Sequence, residues 1–489
     1  MNGKSSKKMI LKKRVFIKPN SKLQVVTLPF FSILCCCFMV GMAGCAPKLA
    51  TVDLPYDSLE TFSLPGETAA TDQWWLAFQD EDLNALIDTA LKNNLPLNSA
   101  WYQLEEAGAL LDFTAAEKWP EVFLELQSGI SRPEPDFVGG ENTQLSLRTN
   151  YELDLWGRIR YSVHAEEYRF KASFYDYKTA AISLSGEITL TWFRLKATEN
   201  QLQLVEEQIN TNEKVLALIR ARFASGQVRG VDILRQQQLI ESTREQKIVL
   251  QSQMGILKNQ LALLLGEPPG IPLKVTADLP ELPPLPQTGI PLQLVNRRPD
   301  VQSAFYRLQA SDREMAAAIS SRYPRLTFSL TAAIRSNTLT SLFESQAVSL
   351  STSLLAPVFY GGRLNSEVDR TDAIRKQFLN EYAQSVLIAF QEIEDALIQE
   401  TKLVEQIAAI EEQVRLAEMA FEQLRIEYLN GSIAYLDVLV TLNQQQQLRR
   451  DLIDTQMALL ETRVALYRAL AGGFETARES LLEDDLQNQ

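Results

Sequence analysis

The sequence predicts a mainly α-helical protein that also carries membrane β-structure: long antiparallel coiled-coil helical hairpins joined to four transmembrane strands in each chain. Three observations predict it. The second half of the 489-residue chain repeats the first at an offset of 204 to 205 residues. Two long proline-free stretches carry apolar residues seven apart, and four short segments alternate apolar with polar side chains.

The repeat is visible in several local patterns. Ala100-Trp101-Tyr102-Gln103-Leu104 recurs as Ala304-Phe305-Tyr306-Arg307-Leu308, and Trp119-Pro120 as Tyr323-Pro324. Trp156-Gly157-Arg158-Ile159 recurs as Gly361-Gly362-Arg363-Leu364. The set Arg220, Phe223, Gly226, Val231, Asp232, Leu234 recurs as Arg425, Tyr428, Gly431, Leu436, Asp437, Leu439. A unit this long exceeds the repeats of solenoids, so it reads as a duplicated, domain-sized motif in a pseudo-symmetric protomer.

Within each repeat the order is short helix, strand, strand, very long helix, turn, medium helix. Repeat one spans 81–265, with strands near 121–131 and 142–155, a long helix at 158–224 and a helix at 231–265. Repeat two spans 292–471, with strands near 325–335 and 346–356, a long helix at 363–429 and a helix at 433–471. Between them, residues 266–291 hold eight prolines, from Pro268 to Pro291, a density that forbids a long helix and marks a linker. Residues 45–80 read as an extended segment clasping the body, and 472–489 as a C-terminal tail.

The long helices follow from a 3.5-residue period. Ile188, Leu195, Leu202, Ile209, Leu216 and Phe223 fall seven apart, with Leu184, Thr191, Thr198, Val205, Asn212 and Ile219 interleaved. That is the signal of a coiled-coil seam. Repeat two shows it as Val386, Ile393, Ile407, Val414, Phe421 and Tyr428, interrupted by Glu400, with Phe390, Leu397 and Val404 interleaved. At about 1.5 Å per residue each helix is roughly 100 Å long. Gly226 and Gly431 suit a left-handed stop, after which the chain reverses.

The strands follow from a period of two. Thr143, Leu145, Leu147, Thr149, Tyr151, Leu153 and Leu155 alternate with polar residues, as do Leu326, Phe328, Leu330, Ala332 and Ile334. Val122, Leu124 and Leu126 mark the first strand, and Val348, Leu350 and Leu354 the fourth. Ten-residue strands with one apolar and one polar face suit a membrane barrel with a wet lumen; two surface hairpins packed on helices are the soluble alternative. Four strands are too few to close a barrel, and an open edge does not sit in lipid. If the strands span a membrane, several chains share one barrel.

The amino-terminal 44 residues carry eight Lys or Arg and no acid, with an apolar run from Val25 to Val40. The run is shorter than a spanning helix and is followed by small residues, so 1–44 reads as a secretory signal peptide, with Met9 a second possible start. Cys35, Cys36 and Cys37 fall inside that segment, which leaves Cys45 as the sole cysteine beyond it and permits no intramolecular disulfide. Gly41-Met42-Ala43-Gly44-Cys45 resembles a bacterial lipobox, which implies cleavage before Cys45 and acylation of that residue. The alternative is ordinary cleavage near Ala43 with a free thiol. Without the segment, 40 basic residues face 61 acidic ones, a net charge of −21. Such a surface offers no stripe for nucleic acid. No other apolar run reaches spanning length, so any membrane crossing uses strands.

Enzymatic chemistry finds no footing in these residues. The single histidine, His164, excludes His-based triads and multi-histidine metal sites. There is no Walker loop, no dinucleotide-binding glycine pattern and no nucleophile elbow. Acidic pairs such as Glu166-Glu167 sit on long solvated helices, where a charged surface is the ordinary reading. Neither a cofactor nor a metal is expected.

The lipobox, Asp72-Gln73-Trp74-Trp75, Arg297-Arg298-Pro299-Asp300-Val301, Tyr360-Gly361-Gly362-Arg363 and the run from Arg425 through Tyr428 and Gly431 to Leu436-Asp437-Val438-Leu439 together resemble the TolC family of outer-membrane factors, in its NodT and OprM lipoprotein branch. The resemblance implies a homotrimer in the outer membrane, a twelve-stranded β-barrel continuous with a periplasmic α-barrel. It further implies a passive exit duct of a tripartite efflux pump, with a periplasmic adaptor (membrane fusion) protein and an inner-membrane transporter, of the RND type, as partners beside the membrane lipid.

In that resemblance the adaptor-docking tips are Phe223, Gly226, Val231 and Asp232, with Tyr428, Gly431, Leu436 and Asp437. The glycines also serve as turn formers and the aspartates as acids at helix N-termini, roles sufficient without a partner. The aperture gate falls on Leu436, Val440 and Asn443. Val440 and Asn443 stand where the related lipoproteins carry an aspartate and an arginine, which implies closure through apolar packing with weak salt dependence. A protein-secretion channel of the same fold and a non-conducting, lipid-anchored periplasmic scaffold are the competing readings; the scaffold leaves the four alternating strands unexplained.

Overall fold

A computed structural model describes residues 62–64, 72–131, 140–270, 272–288, 295–336, 346–476 and 478–479, without the side chains of 130–131, 140–142 and 336. The chain divides at Thr51/Val52, and all described residues belong to the second unit. The expected signal peptide, Cys45, most of 45–80 and the tail beyond 479 lie outside the described residues.

Repeat one comprises α1 (Glu81–Asn93), α2 (Leu95–Ala115), β1 (Glu121–Ser131), β2 (Gly140–Leu153), α3 (Arg158–Ala224) and α4 (Gly230–Leu264). Repeat two comprises α5 (Pro299–Ser320), β3 (Arg325–Ser336), β4 (Gln346–Leu355), α6 (Arg363–Leu429) and α7 (Tyr435–Leu470). Two features differ from the sequence reading. The helix before β1 is broken in two, because Asn94 adopts an extended backbone, caps α2 by accepting the Leu97 N–H at 2.9 Å and donates to the Leu264 carbonyl at 2.9 Å. Pro96 then occupies the first turn, where its missing N–H costs nothing. Residues 74–78 are not extended but form a 3₁₀ turn whose Trp74, Trp75 and Phe78 are buried.

That turn anchors the largest core. Trp74 stacks on Tyr467 at 5.9 Å, Trp75 meets Phe474 edge-on at 4.8 Å, and Phe78 packs against Phe193 at 5.0 Å. Asp80 caps α1 by accepting the Leu83 N–H at 3.0 Å and also receives Trp192 Nε1 at 2.9 Å and Lys196 Nζ at 2.7 Å. Burial pushes its carboxyl up, but the bonds from Lys196, Leu83 and Trp192 together hold it below the usual aspartate range.

The expected seams are largely buried. Thr191, Thr198, Val205, Asn212 and Ile219 of α3 face the core, as do Val386, Phe390, Ile393 and Leu397 of α6. Val404 does not: it is half exposed, and the stripe passes instead through the partly buried Leu403 and Ile407 to the buried Ile410. The register shifts at Glu400, whose carboxylate accepts Arg463 Nε at 2.8 Å in a buried pair. Arg463 also donates to the carbonyls of Pro283 and Pro284, tying the linker to the helices. Along the linker Leu273, Val275, Leu279 and Leu282 pack on the first core and Leu285 on the second.

Candidate channel site

The four strands form one antiparallel sheet in the order β1-β2-β3-β4, with β1 and β4 as its two edges. Pairing sets like residues side by side: Leu124 opposite Leu147, Leu147 opposite Ala332, and Ala332 opposite Val348. Because side chains alternate along a strand, that register gathers most of the large apolar residues of all four strands on one face, with Phe123 and Leu355 on the other. Leu124, Leu126, Val348 and Leu350 are exposed on the apolar face. The opposite face is polar: Arg148 pairs with Glu125 at 3.3 Å, Ser329 donates to Asn150 at 2.9 Å, and Arg335 donates to Gln144 at 2.7 Å. Among the described residues no helix is long and apolar enough to cross a membrane.

Sheet and helices meet at a built junction. Asp154 accepts the backbone N–H groups of Ile159 at 3.2 Å and Arg160 at 2.9 Å, capping α3. Arg158 binds Glu152 at 3.1 Å. Trp156 stacks on Tyr323 at 4.7 Å and donates to the Pro324 carbonyl at 2.7 Å, which joins the end of β2 to the start of β3.

At the far end the two hairpin turns lie together. Gly226 (φ +73°) and Gly431 (φ +76°) take the left-handed conformation. Each closes its helix alike: Gly226 N–H to Phe223 O and Gln227 N–H to Arg222 O, both at 2.9 Å, and Gly431 N–H to Tyr428 O and Ser432 N–H to Glu427 O, both at 3.0 Å. No atom crowds either glycine, so the positive φ alone demands it. Ile219, Tyr428, Tyr435 and Val438 form a small core between the hairpins. Arg222 lies over the Tyr428 ring at 4.7 Å and donates to Leu429 O at 3.1 Å. Tyr435 donates to Gln236, and burial pushes both phenols up, so they stay neutral.

The expected tip residues therefore separate. Phe223, Gly226, Val231, Gly431, Leu436 and Asp437 are exposed, whereas Tyr428 is buried. Asp232 is 4% exposed, accepts the Arg229 N–H at 3.3 Å and has Arg229 and Arg235 each at 3.6 Å. Leu436, Val440 and Asn443, four and three residues apart, share one exposed face of α7, opposite the buried Tyr435, Val438 and Leu442.

Sequence reading missed a buried polar layer just inside the tips. Asn212 and Gln446 exchange bonds at 3.0 and 3.3 Å, Gln236 donates to Asn212 O at 2.8 Å, and Gln208 donates to Gln446 O at 3.1 Å. Asn212, the one amide on the first seam, was its one visible signal. Such a layer fixes the axial register of α7 against α3 and α4.

An amphipathic sheet with two free edges, continued by helical hairpins about 100 Å long, defines a membrane channel that ends in a helical tube. The model of the outer membrane efflux protein family matches residues 86–267 and 290–472, and the chain belongs to that family. OpmQ of Pseudomonas aeruginosa, a pyoverdine export outer membrane protein, is 28% identical over 470 residues, covering 93% of this chain and 99% of its own. The cation efflux system protein CusC of Escherichia coli is 26% identical over 451 residues, 89% of this chain and 98% of its own. A crystal structure of CusC superposes with a TM-score of 0.80 over 88% of this chain and 99% of that one, at 26% identity. The outer-membrane channel OprN shares the fold, with a TM-score of 0.82 at 24% identity. The chain is an outer-membrane efflux channel, and its family is one of channels rather than enzymes.

Proposed function

We propose that three copies of the chain assemble into a passive duct, anchored in the outer membrane through acylated Cys45, that carries small molecules outward from a periplasmic adaptor and an inner-membrane transporter of the RND type. The single observation that carries this reading is the register of the sheet: one continuous apolar face, one polar face and two unpaired edges. Four strands from each of three chains supply a closed barrel, the form in which a sheet spans lipid without unsatisfied backbone groups.

The exposed turn residues Phe223, Val231, Leu436 and Asp437 serve as the adaptor contact, while buried Asp232 and Tyr428 hold the turns in shape. Leu436 and Val440 narrow the aperture by apolar contact across the threefold axis, with Asn443 beside them. The relatives OpmQ and CusC carry names for cargo as unlike as pyoverdine and cations, which supports a duct that leaves selection to its pump. The test is imaging and single-channel recording of the processed, detergent-extracted protein. A conducting threefold tube well over 100 Å long is expected; a non-conducting rod overturns the duct. Closed-state leak is expected to be equal at low and high salt, and a leak that climbs steeply with salt overturns the apolar gate.

A further inference from the structure

The two junctions between sheet and helices are equivalent by the repeat and opposite in charge. The first carries Glu117, Glu121, Glu152 and Arg158, and Arg158 binds Glu152 at 3.1 Å with Glu117 at 3.7 Å. Their counterparts in repeat two, 204 or 205 residues on, are Ser321, Arg325, Pro357 and Arg363. Three carboxylates and one guanidinium have become two guanidiniums and no carboxylate. Asp154, which caps α3, has Phe359 as its counterpart, and α6 has no side-chain cap.

The two arginines line one cavity. It has a volume of about 150 Å³ between the end of α5, the paired ends of β3 and β4 and the start of α6, and its walls include Ser321, Tyr323, Arg325, Leu355, Tyr360 and Arg363. Arg363 lies over the Tyr360 ring at 5.0 Å, and neither arginine has a carboxylate partner among the described residues. Two cations that share a cavity without a counter-charge attract an anion, and the guanidinium fork matches the oxygens of a phosphate.

The surroundings select the kind of anion. The cavity sits where the sheet ends and the long helices begin, which is the depth of the head groups on the periplasmic side of the membrane. Val358 and Phe359, where the chain leaves β4, are 93% and 88% exposed, and Leu354, on the apolar face, is exposed as well. Resting on the reading that this sheet spans the outer membrane, we infer that the repeat-two junction binds the phosphate of a phospholipid of the periplasmic leaflet. Arg325 and Arg363 take the phosphate oxygens, and an acyl chain lies along Leu354, Val358 and Phe359. The acidic junction of repeat one repels the same head group, so each chain holds its lipid at one hairpin only.

The test titrates the full-length processed protein, extracted in detergent and stripped of lipid, with phosphatidylglycerol, and counts retained lipids by native mass spectrometry. Saturation at one lipid per chain is expected. Arg325→Gln with Arg363→Gln is expected to weaken retention by roughly tenfold or more, whereas Arg244→Gln with Arg415→Gln, an equal loss of charge on exposed helix surface away from the sheet, leaves it unchanged. Equal weakening in the two variants overturns the site. Val358→Ser with Phe359→Ser is expected to weaken retention several-fold; unchanged retention, or displacement of the lipid by an equal concentration of inorganic phosphate, makes this a simple anion site and overturns the lipid. A lower dissociation temperature of the arginine variant in lipid-free detergent would place acidic side chains of a neighbouring copy on the arginines, which overturns it too. Unmodified protein that conducts in a bilayer but retains no phosphatidylglycerol sinks this inference alone, while protein that fails to insert removes the membrane reading with it.

Discussion

The two hairpin tips share a backbone and differ in what it presents. Gly226 and Gly431 sit at φ +73° and +76° and close their helices with the same pair of hydrogen bonds. Yet Asp232 is buried and flanked by two arginines, whereas its counterpart Asp437 is exposed and makes no ion pair among the described residues. Higher up, the two repeats differ in chemistry at a position that is buried in both. The first seam carries buried Leu195 where the second carries Glu400, paired with Arg463. Duplication has kept the turn geometry and changed the surroundings of single positions: Asp232 is buried between arginines, and Asp437 faces solvent.

The largest break in that comparison is expected at Arg463. Its removal as Arg463→Met leaves Glu400 charged and uncompensated, at a cost of about 3–5 kcal/mol, whereas Glu400→Leu with Arg463→Met restores the Leu195-like seam and recovers most of it. Thermal midpoints of the two variants distinguish these outcomes; equal losses would mean that the linker contacts at Pro283 and Pro284, not the charge, matter.

Asp80 sharpens the contrast by pH. Its partners Trp192 and Lys196 become Leu397 and Thr401 in the second repeat, so this clamp belongs to the first alone. A carboxyl held low in the folded state contributes stability above its unfolded-state pKa, and that stability is lost as pH falls through the folded value. Lys196→Met is expected to cost about 1–3 kcal/mol near neutral pH and to move the onset of acid unfolding upward, measured by circular dichroism against pH.

Gly431→Val and Gly226→Val are each expected to cost at least about 1 kcal/mol, because a β-branched side chain opposes positive φ. Drug-export assays should show Gly431→Val impairing export while insertion persists; full export would count against the tip assignment. The smallest effects separate the aspartates. Asp232→Asn is expected to lose about 0.5–2 kcal/mol of helix capping, and Asp437→Asn to stay within about 0.5 kcal/mol while weakening adaptor capture. Equal stability losses would erase the distinction between the tips.

Much of this was legible in sequence because it is local. Period-two alternation read over 143–155 covers β2 up to its end at Leu153, two residues short of Leu155, and the proline-free heptads fall within α3 and α6. Glu400 announced a break in the seam. The kink at Asn94 escaped because its cause includes the distant Leu264 carbonyl. Val404 fit the heptad and still faces solvent, since the register shift depends on Arg463, 63 residues away in sequence from Glu400.

By itself, then, the sequence determined the elements, their order, their duplication and the turn glycines, all set by backbone sterics and side-chain period within a few residues. Only the tertiary structure decided which of two like aspartates is buried, which seam positions face inward, and that Gln208, Asn212, Gln236 and Gln446 meet in one layer. Those outcomes depend on what the opposing helix brings to each position, and a pattern read along one strand of chain holds no record of the surface it will face.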